Sequence, residues 1–471
     1  MIENVLSARY ASPEMRRIWD PVAKVRMERR LWVVVLETQQ RLGVEVPEGA
    51  VEAYRIAIDD VDLDSIERRE RVLRHDVKAR IEEFNALAGF EAIHLGMTSR
   101  DVTENVELLQ IRQSLQVVLT RAVAALGTMA ALAAEHTGLA VTGRTHNVPA
   151  QVTTLGKRMA SAGEELAAAI DRIEALVGGL PLRGIKGPVG TQQDQLELLG
   201  SAESVIELER AVADDLGFER VAGSVGQIYP RSLDLEVVAT LVQLAAGPTN
   251  LTTTLRLMAG HDLATEGFAA GQVGSSAMPH KMNTRTSERV HGLKVILGGY
   301  LAMAAGLSGE QWNEGDVTCS VVRRVMLPDA FYAIDGLLQS FQVVLGEMGV
   351  FPAVIERELT ASLPFLATTR LLVAAVQAGM GREAAHETIK RHAVAAALDR
   401  RQAPADGLDL LARLGTDPDF PLSTADMQAL LGEPLKFAGL ASSQVEDFVK
   451  LVAEIVGRHP GSVDQQVGEI L

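Results

Sequence analysis

The dominant period along the chain is helical. From Asp101 onward, apolar residues recur at three- and four-residue steps: Val106, Leu109, Leu115, Val118, Ala122, Ala125, Met129 and Leu132. Asp101 and Glu104 have the spacing of a capping box, and Gly138 is a natural stop. At 1.5 Å per residue this predicts a helix on the order of 50 Å long. A second long helix is predicted from Pro149 to Gly178-Gly179, with proline in its first turn and glycine just past its end. A third runs from Ser232 toward Phe268 with a kink at Pro248, a fourth from Arg285 to Leu307, and a fifth from Pro328 toward Gly346. Alternating strand patterns are scarce. The pattern predicts an all-α fold, an elongated central helical bundle between smaller helical domains. We divide the chain into residues 1–104 (N-terminal helical domain), 105–357 (long-helix bundle) and 358–471 (C-terminal helical domain).

Several central helices are apolar around much of their circumference. A helix of that kind has to be buried on all sides. A lone bundle would leave outer faces in water, so the pattern predicts association with further copies of the same chain in closed symmetry.

Composition narrows the function. Asp and Glu number 61 against 45 Lys and Arg, a net charge of −16, which argues against general nucleic-acid binding. An anionic small molecule would need a local cationic pocket. Cys319 is the only cysteine, which excludes an internal disulfide and a cysteine zinc site and fits a reducing compartment. The first residues lack an apolar signal segment, and the most apolar stretch, Ala122–Ala134, is too short to span a bilayer. These features predict a cytoplasmic protein with no membrane partner. No phosphate loop, dinucleotide turn, nucleophile elbow or HExxH motif is present. No metal and no cofactor are therefore expected.

What remains is a set of polar islands between long apolar helices. Gly274–Arg289, GSSAMPHKMNTRTSER, combines serines, His280, Lys281 and Asn283 in a segment flanked by glycines. An ordinary connecting loop has no need of that combination. Thr142–Gln151, TGRTHNVPAQ, brings His146, a natural general acid or base, to the start of the second helix. In HLGMTSRD, Thr98 and Ser99 stand at a helix N-terminus, which favours an anion. In RHDVKAR, Asp76 is placed to orient His75, unless the segment is simply a charged helix face. Gly184–Asp194 either lets a ligand approach closely or only turns the chain. Histidines, a serine loop and anion binders, without metal or redox group, fit proton abstraction beside a carboxylate followed by loss of a leaving group. Such a site must stabilise the aci-carboxylate and protonate the leaving atom.

GSSAMPHKMN resembles the signature loop, here residues 271–284, of the fumarase/aspartase superfamily. Together with Arg9-Tyr10, RHDVKAR and TGRTHNVPAQ it resembles the adenylosuccinate lyase family over roughly residues 5–400. The resemblance implies elimination of fumarate from adenylosuccinate, giving AMP, and from SAICAR, giving AICAR, in purine nucleotide biosynthesis. It implies His146 as the acid that protonates the leaving nitrogen, Glu288 as its carboxylate partner and Ser275 as the base. Lys281 and Asn283 would hold the substrate carboxylate, and His75 would be a second histidine on the substrate. Arg9, Tyr10, Arg74, Asp76, Thr98, Ser99, Gln227, Arg289, Ser320 and Arg324 would bind substrate. It further implies a homotetramer in which three subunits build each site. The loop alone would also suit another superfamily member such as an argininosuccinate lyase. A catalytically silent helical scaffold is the competing reading outside the enzymes, against which the His146, Ser275, Lys281 and Glu288 set argues. Two positions depart from the family pattern: Thr284 replaces a usual proline, and Gly315 stands where many relatives carry a substrate-binding arginine, with Arg323 the neighbouring candidate to supply that charge.

Overall fold

The computed structural model describes residues 4–267, 277, 278, 280–402 and 409–462. Five long helical stretches form the body: Ser99–Glu135, Leu155–Gly179, the pair Ser232–Leu244 and Ala246–Ala259, Arg285–Leu307, and Thr318–Glu347. One continuous apolar core runs through them, built mostly of Leu, Val, Ile and Ala. The sequence places the Arg285–Leu307 helix to the residue; the Ser99 helix starts three residues earlier than the Asp101–Glu104 spacing implies, because its capping box is Thr98–Asp101 and Asp101 is the third helical residue. Elsewhere the structure differs. Val148–Thr154 is not the first turn of a helix but the second strand of an antiparallel hairpin with Ala140–Thr145, and the helix begins at Leu155, capped by the Thr154 hydroxyl. Pro149 is therefore a strand residue, which explains why it misleads as a helix-start signal. The third stretch breaks at Ala245 and ends at Ala259, before the short pairing of Ala264-Thr265 with Gly349-Val350. The fifth begins at Thr318, ten residues before Pro328, which it carries in its interior.

The Ser99–Glu135 and Arg285–Leu307 helices are long and apolar enough, by length and composition, to cross a membrane. The sequence reading of Ala122–Ala134 alone understated this. The first spends its surface inside the protein, burying Asp101, Glu104 and Arg121 among its apolar residues. The second leaves Gly292, Val295, Ile296, Gly299 and Ala302 exposed along one side.

Between residues 359 and 396 and between 410 and 431, a separate apolar core forms around Leu371, Leu410, Leu414 and Met427. The last helix, Ala441–Arg458, instead returns to the central bundle, where Val445, Phe448, Val452 and Ile455 join the main core. Gly163 makes room for it: a Cβ there would stand 2.2 Å from the Phe448 ring.

Two buried networks hold the head of the Ser99–Glu135 helix. Asp101 accepts the Thr98 backbone N–H (2.7 Å) as the helix cap. Its other oxygen accepts the N–H groups of Lys186 (2.8 Å) and Gly187 (3.0 Å) and pairs with the fully buried Arg183. Asn105 exchanges two 3.0 Å hydrogen bonds with the backbone of Gly184. The start of the Gly184–Asp194 loop is thus fastened to this helix. One to two turns on, Glu104 and Glu107 face Arg231 and Arg323, with Asp234 and Tyr229 completing the cluster. Burial alone would raise the Glu107 carboxyl. Arg323, Lys24 and Arg231 outweigh it and bring the group down to about 2. Arg323 is consumed here, so it does not replace the charge missing at Gly315.

Breaking a buried pair strands the surviving charge, at a cost of about 3–5 kcal/mol. We expect Asp101→Ala to lower the midpoint of chemical denaturation strongly, and the double replacement with Arg183→Met to recover part of that loss. Equal midpoints for single and double variants would refute the pairing. Because the folded Glu107 carboxyl lies below its ordinary 4.5, its stabilisation is complete above that value and is lost as pH falls toward 2. We expect Glu107→Gln to flatten the acid limb of a stability–pH curve in that window, and an unchanged limb would refute it.

Candidate active site

Three helices begin at one cleft. His75 caps the Asp76–Ala88 helix, Thr98 caps the Ser99–Glu135 helix, and Val317 precedes the Thr318–Glu347 helix. Their first turns supply Asp76, Ser99 and Ser320 to a cavity of about 300 Å³ that also takes in Arg74, His75 and Arg324. Each N-terminus brings the positive end of a helix dipole toward the cleft. Six of the residues expected from the sequence are thereby brought together from three distant segments.

Local geometry sets each side chain. Arg74 ends the preceding helix with φ +53°, a left-handed conformation that turns the chain sharply into the next one. The His75 ring accepts the Lys78 N–H at Nδ1 (3.3 Å), which leaves the proton of the neutral ring on Nε2. Asp76 meets Arg324 (3.2 Å) and Arg80 (3.4 Å) and accepts the Val77 N–H (2.8 Å). Burial would raise its carboxyl, but Arg80, the Val77 N–H, Arg324 and His75 together hold it below the usual range. Arg80 in turn pairs with the buried Glu28 (2.8 Å), whose carboxyl burial pushes up. Arg324 itself is exposed, unlike its neighbour Arg323. Lys24, Arg100 and Glu107 also line the cleft and escaped the sequence reading. Only Arg100, inside the quoted HLGMTSRD segment, carried a local signal.

Gln227 lies beside Gly315. Its N–H donates to the Glu314 carbonyl (2.6 Å), and a Cβ on Gly315 would come within 3.1 Å of its own Cβ. With φ at +152°, Gly315 has a backbone that an arginine would adopt only with strain. Tyr10 packs its backbone against Gly336 and its ring beneath the Arg289 guanidinium, 5.9 Å from the ring centre. Arg9 is exposed at the end of Val5–Arg9.

His146 sits elsewhere, at the tip of the hairpin. His146 and Asn147 form its two-residue turn with φ +51° and +60°, the left-handed pair that such turns demand. Every residue from Thr145 to Gln151 is exposed. Arg144 anchors the turn through the Asn147 carbonyl (3.1 Å) and Glu358 (2.6 Å). Glu288, one turn into the Arg285–Leu307 helix, faces Arg256 at 3.8 Å, and among the described residues no contact joins it to His146 within the chain. Glu266 accepts the N–H groups of Thr286 and Ser287 (both 2.8 Å) and so fixes the start of that helix. Thr284, the residue replacing proline, occupies its cap position. Lys281 is exposed and Asn283 half-buried just before it. Ser275 lies outside the described residues, as does half of the 271–284 loop. No group of metal-binding side chains occurs among the described residues.

Residues 21–297 match the family described as Lyase, and residues 364–448 match the adenylosuccinate lyase C-terminus. The adenylosuccinate lyase of Saccharomyces cerevisiae is 35% identical over 453 residues, covering 94% of this chain and 93% of that one. That of Schistosoma mansoni is 33% identical over 452 residues, with 95% and 94% coverage. Among solved structures, the 3-carboxy-cis,cis-muconate lactonizing enzyme of Pseudomonas putida superposes with a TM-score of 0.83 at 20% identity, over 96% of this chain and all of that one. A fumarate lyase from Mesorhizobium gives 0.79 at 20% identity, covering 94% and 98%. The distant structures share the fold, and the closer sequences fix the branch: the chain belongs to the adenylosuccinate lyase family.

Proposed function

We propose that the protein eliminates fumarate from adenylosuccinate, giving AMP, and from SAICAR, giving AICAR, in purine nucleotide synthesis. The observation that carries this reading is the convergence of three helix N-termini with Arg74, Ser99, Ser320 and Arg324 on one cleft. In a chain of net charge −16 such a cleft is a local reversal of sign, suited to the phosphate that both substrates carry. In the reaction the Cβ–H bond breaks with its proton passing to the Ser275 oxygen. The C–H electron pair becomes the new C=C bond, the C–N bond breaks, and its pair on nitrogen takes a proton from His146. Lys281 and Asn283 hold the succinyl carboxylates while negative charge builds on them. His75, with its proton on Nε2, faces the cleft as a donor.

The three parts belong together chemically, yet within one chain no hydrogen bond or ion pair among the described residues joins the cleft, the hairpin tip and the 280–289 segment. Assembly supplies the simplest union. Exposed apolar residues line the Arg285–Leu307 helix, and Val317, Val321 and Val325 form a second exposed stripe beside Arg324. Burying such stripes against copies of the chain supports a homotetramer with sites shared between subunits. The single cysteine supports a cytoplasmic location.

Incubation with adenylosuccinate and with SAICAR should release fumarate from both, followed by its absorbance. Release from neither would overturn the lyase reading. For the shared site, we expect inactive His146→Ala and Ser275→Ala proteins to regain partial activity when mixed under subunit exchange. No regain, or a fully active monomer in sedimentation, would overturn it.

A further inference from the structure

A second cavity, of about 170 Å³, lies between the hairpin and the Ala246–Ala259 helix, lined by none of the residues that line the cleft. Arg144, Asn147, Arg158 and His261 face it from the polar side, and Leu257 and Met258 form an apolar wall. The charges around it do not balance. Arg144 spends itself on Glu358 and on the Asn147 carbonyl. Arg158 gives one N–H to the Thr142 carbonyl (3.0 Å) and forms no ion pair among the described residues. Burial and the neighbouring Arg144 both work against the Arg158 charge, and Glu358, already paired, is the single carboxylate that opposes them. Two guanidinium groups thus share one carboxylate in a partly desolvated pocket, where an unmatched charge is costly.

We propose that this cavity is a second anion site, taking a small oxyanion between Arg144 and Arg158. Guanidinium forks match the geometry of carboxylate and phosphate oxygens, and the volume admits an ion of that size. The apolar wall of Leu257 and Met258 suits the carbon skeleton of a short carboxylate. Both arginines hold backbone carbonyls of the hairpin, at Thr142 and Asn147, so an anion bridging them would tie the segment that carries His146 to the bundle. The inference rests on this charge arrangement and is independent of the lyase reading.

The test is calorimetric titration of the full-length protein, in an anion-poor buffer, with fumarate and separately with inorganic phosphate. Arg324→Gln weakens the cleft and serves as the reference background. We expect at least one of the two anions to bind that variant, and to bind about tenfold or more weakly once Arg158→Gln or Leu257→Glu is added. Whichever anion shows this behaviour is the source the site selects. Leu257 is 48% exposed, so its replacement is tolerated by the fold and places a competing carboxylate on the pocket wall. Should Arg158→Gln fail to fold by circular dichroism, Leu257→Glu decides alone. Loss of all binding in Arg324→Gln, or binding there that Leu257→Glu leaves unchanged, overturns the proposal.

Discussion

The head of the Ser99–Glu135 helix carries two buried carboxylates, Asp101 and Glu104, and a partly buried third, Glu107, and the rest of the structure is arranged to make that tolerable. Isolated, each would be driven to neutralise. Here Arg183, Arg231 and Arg323 come from three other segments to meet them, and backbone N–H groups fill much of the remaining acceptor capacity. The consequence is positional. Matching these charges fixes where the Gly184 loop, the Ser232 helix and the Thr318 helix must lie relative to one helix end. That same end is one wall of the cleft. The network therefore sets the cleft's shape while its own arginines, held against buried carboxylates, stay apart from Arg74 and from Arg324, which meets Asp76.

Much of this was legible in the sequence, and the failures have local causes. The Ser99 and Arg285 helices are long, periodic and free of internal proline, so their pattern alone places them. The Leu155 helix was misplaced by six residues because Pro149 imitates a helix start, and because a His-Asn turn lacks the glycine that usually marks a two-residue hairpin. The Thr318 helix was shortened because Pro328 sits inside it, where proline normally ends or bends a helix. Neither error reflects weak periodicity. Both reflect one residue whose local meaning was overridden by packing.

The site divides in the same way. Polar islands stood out because nothing about a long apolar helix requires them, and His75, Ser99 and Arg324 were found on that ground or by resemblance. Their meeting was not legible. Arg324 reaches Asp76 across 248 residues of sequence, and no period encodes that distance. Arg323 shows the limit most clearly: beside Arg324 in sequence, it faces inward, and only its placement on the helix separates a buried counter-ion from an exposed one. Lys24 and Glu28 carry no motif at all, because what matters about them is the carboxylate or cation they happen to face.

The last helix has a consequence for how the protein is made. Phe448 fills the notch at Gly163, and His459 closes on Glu174 at 2.5 Å, a partner 285 residues earlier. Until that helix leaves the ribosome, Val123, Gly127 and Ala130 of the Ser99 helix, which face Val449, Val452 and Val456 of the last helix, and the notch at Gly163 have no cover. At about 5–20 residues per second of synthesis, the delay is roughly 15–60 s. For that time the nascent bundle presents an open apolar seam, and a chain stopped short of residue 441 would carry that seam permanently.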